Sequence, residues 1–474
     1  MKAEYLQEPY LFFGKGKSIC PREGISGLDV YDTRQAARKS QLLIGIIGIE
    51  EDIENVQAWL KRFEAFIPAN PKGKQKGLFK SFPGFNQDLG FCAKFIYDSN
   101  FERPLSATDI KKVLSSDSYE QQVLNAVDLF SENIKFLSDI KNCDVVICVV
   151  PKSFEGKIVN EKKDEEPVET TADEPAELEL ELNFRRALKA KAMQSNTPIQ
   201  IIREYILHDN KKSQDAATKA WNLCTALYYK GLQTIPWKLE VDENRPKVCY
   251  VGIGFYRSRD RQTIQTSLAQ IFNENGKGVI LRGTPVMEDK DDKKPHLTFE
   301  QSYFLLIDAL TKYKFATGGM PGRLVLHKTS KYYLDELDGF EQAMKELGIE
   351  DYDIATISET DLRFFRNGLY PPVRGSLFSL SEEKHVLYTR GSVHQYQTYP
   401  GMYIPAPLEI RIEKRSSSIK TVCREILGLT KMNWNNTQFD NKYPITIGCA
   451  RRVGEIMKYL GERDHPKESY AFYM

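Results

Sequence analysis

Long apolar runs are missing from this sequence. None approaches the roughly eighteen residues that a bilayer-spanning helix needs, so no helix is expected to cross a membrane. The opening residues, MKAEYLQEPY, hold no apolar signal core, and no secretory leader is expected. Net charge is nearly absent too: 66 Lys and Arg stand against 65 Asp and Glu. That balance gives no global case for attraction to nucleic acid or to a membrane. The eight cysteines form no CxxC pair. Those in apolar runs, such as Cys148 in DVVICVV and Cys249 in KVCYVG, read as small core residues in a reducing cytoplasm, not as zinc ligands or disulfides. The sequon Asn435-Asn436-Thr437 is taken as chance in a chain without a leader.

What is present points to an α/β protein. The 474 residues suggest about two to four domains with ample core. LLIGIIGI (42–49) is a short buried strand, followed by a helix that places Ile53, Val56, Trp59, Leu60, Phe63 and Phe66 on one face. PKGKQKGLFK (71–80) is a basic loop, the stretch 120–140 is helical, and DVVICVV (144–150) is a second buried strand. This alternation predicts a parallel, doubly wound sheet. Acid is concentrated between Glu161 and Glu181, so the rest of the chain is basic by difference. The segment 154–178, with Pro167 and Pro175, is too acidic to bury a core. It is read as a disordered insertion, with a linker at a domain boundary as the competing reading. A helix (about 179–194), a strand (199–207) and a helix (about 214–230, N-cap Ser213) follow. EVDENRP (240–246) marks a boundary between residues 1–240 and 241–474, and strands are expected near 247–255, 278–283 and 322–328. There is no internal repeat.

The helix after the third strand carries Ala217, Trp221, Cys224, Leu227 and Tyr228 at helical spacing and ends at Lys230-Gly231. Taken alone, it is an amphipathic helix with a lysine where the dipole favours a cation. Together, TPIQII (197–202), NLCTALYYKG (222–231) and Pro236-Trp237 resemble the MID domain of Argonaute proteins. The resemblance implies a Rossmann-like domain in which Gln200 and Lys230 hold the 5′ phosphate of a guide strand. Arg185 and Lys189, four residues apart on one helical face, match two further phosphate-binding positions, with Arg186 or Lys191 as substitutes. Such residues suit a terminal phosphate, which takes several charge-assisted hydrogen bonds. Ala226 stands where a second lysine is common, which implies help from Mg²⁺ held between the phosphate, Gln200 and the C-terminal carboxylate of Met474. The apolar tail Ala471–Met474 either tucks inward for this or frays. His208, Lys211 and Lys212 are expected beside the first guide nucleotide, or else form a solvated turn.

The second half resembles the PIWI domain, an RNase H-like fold whose active members hold metal ions with four residues, mostly carboxylates. The first position falls on Gly254 in KVCYVGIGF. Lys328-Thr329 replaces the usual Arg-Asp, and Cys449-Ala450-Arg451 puts a basic residue at the last position. The degenerate positions are thus Gly254, Thr329 and Arg451; the second position is not placed. The chain is therefore expected not to cut nucleic acid. Arg451 and Arg452 are candidates for guide or target backbone contacts, or plain surface residues. The opening EPYLFFGKGKSICPREGI is similar to the start of short prokaryotic Argonautes, and N and PAZ domains are not expected within 474 residues. That resemblance implies a small guide RNA, a complementary single-stranded DNA target and a heterodimer with an APAZ-containing effector, able to oligomerise on target binding. A TIR effector is favoured by chain length and the FGKGK opening, with Sir2 or a nuclease as alternatives. The implied output is prokaryotic defence, with NAD⁺ depleted by the partner alone. Three other readings stay open: an active guide-directed nuclease, an α/β protein binding a phosphorylated metabolite at Lys230, and a structural interaction protein.

Overall fold

The computed structural model describes residues 1–70, 77, 79–159, 182–208, 214–240, 246–259, 263–272, 278–286, 295–368, 371–399, 404–461 and 464–474. Most of the basic loop 71–80, the acidic run, Lys211 and Lys212 lie outside them.

The chain opens with β1 (Lys2–Tyr5), then β2 (Leu11–Phe12), β3 (Lys17–Ser18) and α1 (Pro21–Leu28). The first parallel sheet contains β4 (Gln41–Gly48), β5 (Lys94–Ile96), β6 (Glu102–Pro104), β7 (Val145–Val150) and β8 (Ile199–Arg203). Its order is β5-β4-β7-β8, with β6 also against β4. Between the strands run α2 (Glu50–Phe63), α3 (Ala107–Leu114), α4 (Tyr119–Asp139) and α5 (Phe184–Ala192). The short α6 (Glu204–Leu207) and the long α7 (Ala216–Leu232) complete this half.

β7 is apolar throughout because helices cover both of its faces. Val145, Ile147 and Val149 join a core with α2, α7 and an aromatic cluster around Phe82, Phe91 and Trp221. Val146, Cys148 and Val150 face the opposite core, built from α4 and α5. The expected doubly wound sheet is therefore present. Three boundaries differ. The strand expected over 199–207 stops at Arg203, and α6 follows. The N-cap of α7 is Asp215, whose side chain accepts from the Thr218 amide, in place of Ser213. The first residues of the expected insertion are core: Phe154, Ile158 and Val159 are buried, with Glu155 bridging to Val159.

A short strand, β9 (Lys238–Leu239), pairs with β2. The second half holds β10 (Val248–Arg257), β11 (Ile264–Phe272), β12 (Gly278–Val286), α8 (Phe299–Thr317), β13 (Arg323–Lys328), α9 (Leu334–Glu346) and β14 (Asp351–Glu359). It continues with β15 (Ser376–Ser379), β16 (Lys384–Leu387), β17 (Leu408–Arg415), α10 (Ile419–Leu429) and α11 (Ile445–Met457). These strands form one nine-stranded mixed sheet, β1-β15-β16-β17-β14-β13-β10-β11-β12, parallel only across β10, β13 and β14. Helices α8 and α9 cover one face, and α11 lies on β10 on the other. A split at residue 240 thus misplaces β1, which pairs with β15 of the second sheet. The buried Glu8–Arg374 and Glu8–Lys431 ion pairs fasten the same N-terminal segment to the C-terminal half.

Candidate nucleic-acid interface

A buried ammonium organises the first site. Lys230, in the last turn of α7, is only 1 % exposed, so its charge needs close oxygen partners. Its Nζ donates to Gln200 Oε1 at 2.8 Å, to the Ile199 carbonyl at 3.1 Å and to the main-chain oxygen of Met474 at 3.1 Å. Lys189, on α5 and also buried, reaches the Tyr473 carbonyl at 3.4 Å. The apolar tail drives this convergence. Ala471, Phe472, Tyr473 and Met474 are all buried, so of the two readings of the tail the inward one describes the structure. Arg185 lies one turn before Lys189, half-buried on the same helix. Arg186 instead binds Glu455 of α11 at 2.7 Å, and Lys191 is exposed. Lys189, Gln200, Lys230 and Met474 thus meet at one place, at the N-terminal edge of the first sheet. Their contacts to the carbonyls of Ile199 and Tyr473 had no signal in the sequence.

His208 is not brought to that place. It lies beyond the far end of β8, past α6, and its Nε2 sits 2.6 Å from Glu204 Oε1. Its neighbour there is Asp52 in the first turn of α2, which is buried with one carboxylate oxygen lacking any hydrogen-bond partner. Burial, then the charges of Glu204 and Glu51, push the Asp52 carboxyl up to about 6, with His208 acting weakly against them. About the length of β8 thus separates His208 from the Lys230 pocket.

In the second half, the alternation of β10 points Tyr250, Gly252, Gly254 and Tyr256 at α11. A Cβ on Gly252 would lie 2.1 Å from the Thr446 carbonyl oxygen, so only glycine lets helix and strand approach this closely. A Cβ on Gly254 would sit 3.1 Å from both Ala450 Cβ and Ser267 Oγ, and Ser267 Oγ donates to the Ala450 carbonyl at 2.9 Å. A methyl group there would need its neighbours to give by a few tenths of an ångström. The parallel register pairs Gly252 with His327 and Ile253 with Lys328, so Thr329 follows level with Gly254. His327 is buried against Thr446 Oγ1 at 3.0 Å, and desolvation lowers its pKa to about 3. Lys328 points to the opposite face. It is fully buried, donates to both Glu336 carboxylate oxygens (2.7 and 2.5 Å), and lies 4.4 Å from the Tyr332 ring centroid. Glu336 also accepts from the amides of Leu297 and Tyr333. Gly254 and Thr329, two of the positions where the resemblance expects catalytic residues, are adjacent. The helix residue that faces them is Ala450; Arg451 turns away and lies 4.2 Å above the Tyr443 ring.

Arg451 and Arg452 line a crevice of about 320 Å³ with Phe255, Lys442, Tyr443 and Tyr470. Tyr470 opens the turn that leads the tail to Met474, so this crevice adjoins the route to the Lys230 pocket. Lys442, absent from the sequence reading, binds Glu359 at 2.8 Å at its wall.

No protein-family model matches the chain. Among curated proteins, the Argonaute of Aquifex aeolicus (strain VF5) is 24 % identical over 372 residues, which is 75 % of this chain and 49 % of that protein. Among solved structures, Clostridium butyricum Argonaute bound to a guide DNA and a 19-mer target DNA superposes with a TM-score of 0.65 at 16 % identity. That match covers 97 % of this chain and 53 % of the other. Drosophila Piwi gives a TM-score of 0.58 at 15 % identity, covering 100 % of this chain and 56 % of that one. The chain thus spans about half the length of the relatives it matches. The fold is Argonaute-like, with its two halves consistent with a MID and an RNase H-like PIWI domain, and the sequence is similar to that of an Argonaute protein.

Proposed function

We propose that this chain holds a small guide RNA by its 5′ phosphate and recognises complementary single-stranded DNA without cutting it. The observation that carries this reading is the convergence of Lys230, Gln200, Lys189 and Met474 in one buried place, with Arg185 a turn away. A terminal phosphate there would take charge-assisted hydrogen bonds from both ammonium groups and from the Gln200 amide. The donor set also fits Mg²⁺, a hard cation that prefers oxygen ligands: Gln200 Oε1 and the Met474 main-chain oxygen already gather round one positive charge. When bound, the ion would offset phosphate charge. Arg451 and Arg452, in the adjoining crevice, are placed to follow the guide backbone onward. Specificity would come from base pairing, with the protein reading duplex shape and phosphates.

The absence of cleavage follows from residue types. Gly254 and Thr329 supply no carboxylate where two-metal hydrolysis needs ligands, and Ala450 packs into the space before Gly254. Output then falls to a partner. In this reading the partner is an APAZ-containing effector, TIR in preference to Sir2 or nuclease, which depletes NAD⁺ in prokaryotic defence after target pairing and further assembly. Nucleic acid that copurifies with the chain tests the reading. Short RNAs with 5′ phosphates are expected, lost in the Gln200→Ala/Lys230→Met double variant. DNA cut by the purified chain with Mg²⁺ or Mn²⁺ would refute it.

A further inference from the structure

A second crevice, of about 760 Å³, opens at the other edge of the first sheet. It is lined by the first residues beyond three parallel strands: Ile49 after β4, Leu105 after β6, and Pro151 with Lys152 after β7. The onward path from β4 leads to β5 and β6 on one side, and that from β7 leads to β8 on the other. The crevice therefore sits at the topological switch point of the sheet, where open α/β folds bind ligands outside the carboxyl ends of their strands. Its floor is apolar, made of Ile49, Leu105, Ile110, Leu114 and Pro151. Its rim carries three exposed lysines, Lys111, Lys152 and Lys157, none of which is ion-paired with another described residue. The one acid in the first turn of α3, Asp109, is engaged by its own N-cap, Ser106. An apolar floor under three unneutralised ammonium groups complements a flat, uncharged ring joined to a polyphosphate. The volume falls within the roughly 300–1,000 Å³ typical of small-molecule sites.

We infer that this crevice is a second ligand site, for a free nucleoside di- or triphosphate, separate from the Lys230 pocket. The base lies on the Ile110–Leu114–Pro151 floor, and the phosphates meet Lys152, Lys157 and Lys111. The two sites stand on opposite edges of one sheet. Gln200 is at the start of β8, and the crevice lies level with its end, about 10 Å or more along the strand. The inference does not rest on the guide-binding reading, and the test separates them. Binding of mant-ADP to the full chain is followed by fluorescence, with ADP, pyrophosphate, adenosine and a 5′-hydroxyl single-stranded RNA as competitors. Saturable binding is expected, competed by ADP far better than by pyrophosphate or adenosine alone. Lys152→Glu/Lys157→Glu should weaken it by roughly tenfold or more. Leu114→Trp, which fills the floor, should weaken it too, whereas Lys230→Met should leave it unchanged. Both crevice variants should retain the melting temperature of the parent. No saturable binding, loss only in Lys230→Met, or displacement by the RNA in preference to ADP would each overturn the assignment.

Discussion

Lys230 shows how far one residue depends on its setting. A lysine near a helix C-terminus is ordinary, but a fully buried one must be surrounded by oxygens, and here they come from two distant parts of the chain, the start of β8 and the C-terminal tail. Another buried lysine, Lys328, is closed off by Glu336 in a pair with no exposure. Removing one partner strands the other charge, so Lys328→Met should lower unfolding stability by about 3–5 kcal/mol in denaturant titrations. Lys328→Met/Glu336→Gln should recover part of that loss, because the neutral amide can still accept from the Leu297 and Tyr333 amides through its carbonyl oxygen. Asp52 carries a pH signature. Its folded pKa, about 6, lies above the free value near 4, so between them the folded state keeps a proton that the unfolded chain gives up. Stability is therefore lost as pH rises through that window, and the loss is complete above it. Asp52→Asn should raise the melting temperature at about pH 7.5, with the gain shrinking toward nothing near pH 4.

At the scale of elements, α11 and β10 decide what the second half can do. Glycines at 252, 254 and 454 let helix and strand approach closely, with Gly454 against the Tyr256 ring. Gly252→Ala should cost about 1–3 kcal/mol, because the atom it would strike is helix backbone and cannot swing aside. Gly254→Asp is expected neither to restore cleavage nor to leave stability intact. Elements with strong periodicity were legible beforehand: the continuous apolar runs of β4 and β7, the amphipathic α2, and α7 with its terminal lysine. Gln200 and Lys230 were legible because local motifs surround them. The end of β8 was not, since Glu204–Leu207 continues an apolar pattern that suits a strand as well as a turn of helix. That turn carries the chain on to His208, at the end of β8 away from Lys230. The Lys328–Glu336 pair and the crevice at Lys152 were also hidden, because nothing in local sequence shows which residues meet across a sheet.

The whole molecule couples its halves through the chain ends. β1 enters the second sheet, and the buried tail carries Tyr473 and Met474 back to Lys189 and Lys230 of the first half. The Lys230 pocket therefore exists only when both halves are assembled. Near-zero net charge implies that nucleic-acid affinity comes from local clusters, so observed binding should still weaken with salt, by an amount set by the few phosphates contacted. The central claim is that this pocket grips a terminal phosphate. The most direct measurement compares the affinity of the full chain for one RNA bearing a 5′ phosphate or a 5′ hydroxyl, in the parent and in Gln200→Ala/Lys230→Met. A preference for the phosphate of roughly tenfold or more is expected in the parent and none in the variant; equal affinity of the parent for both ends would contradict the account.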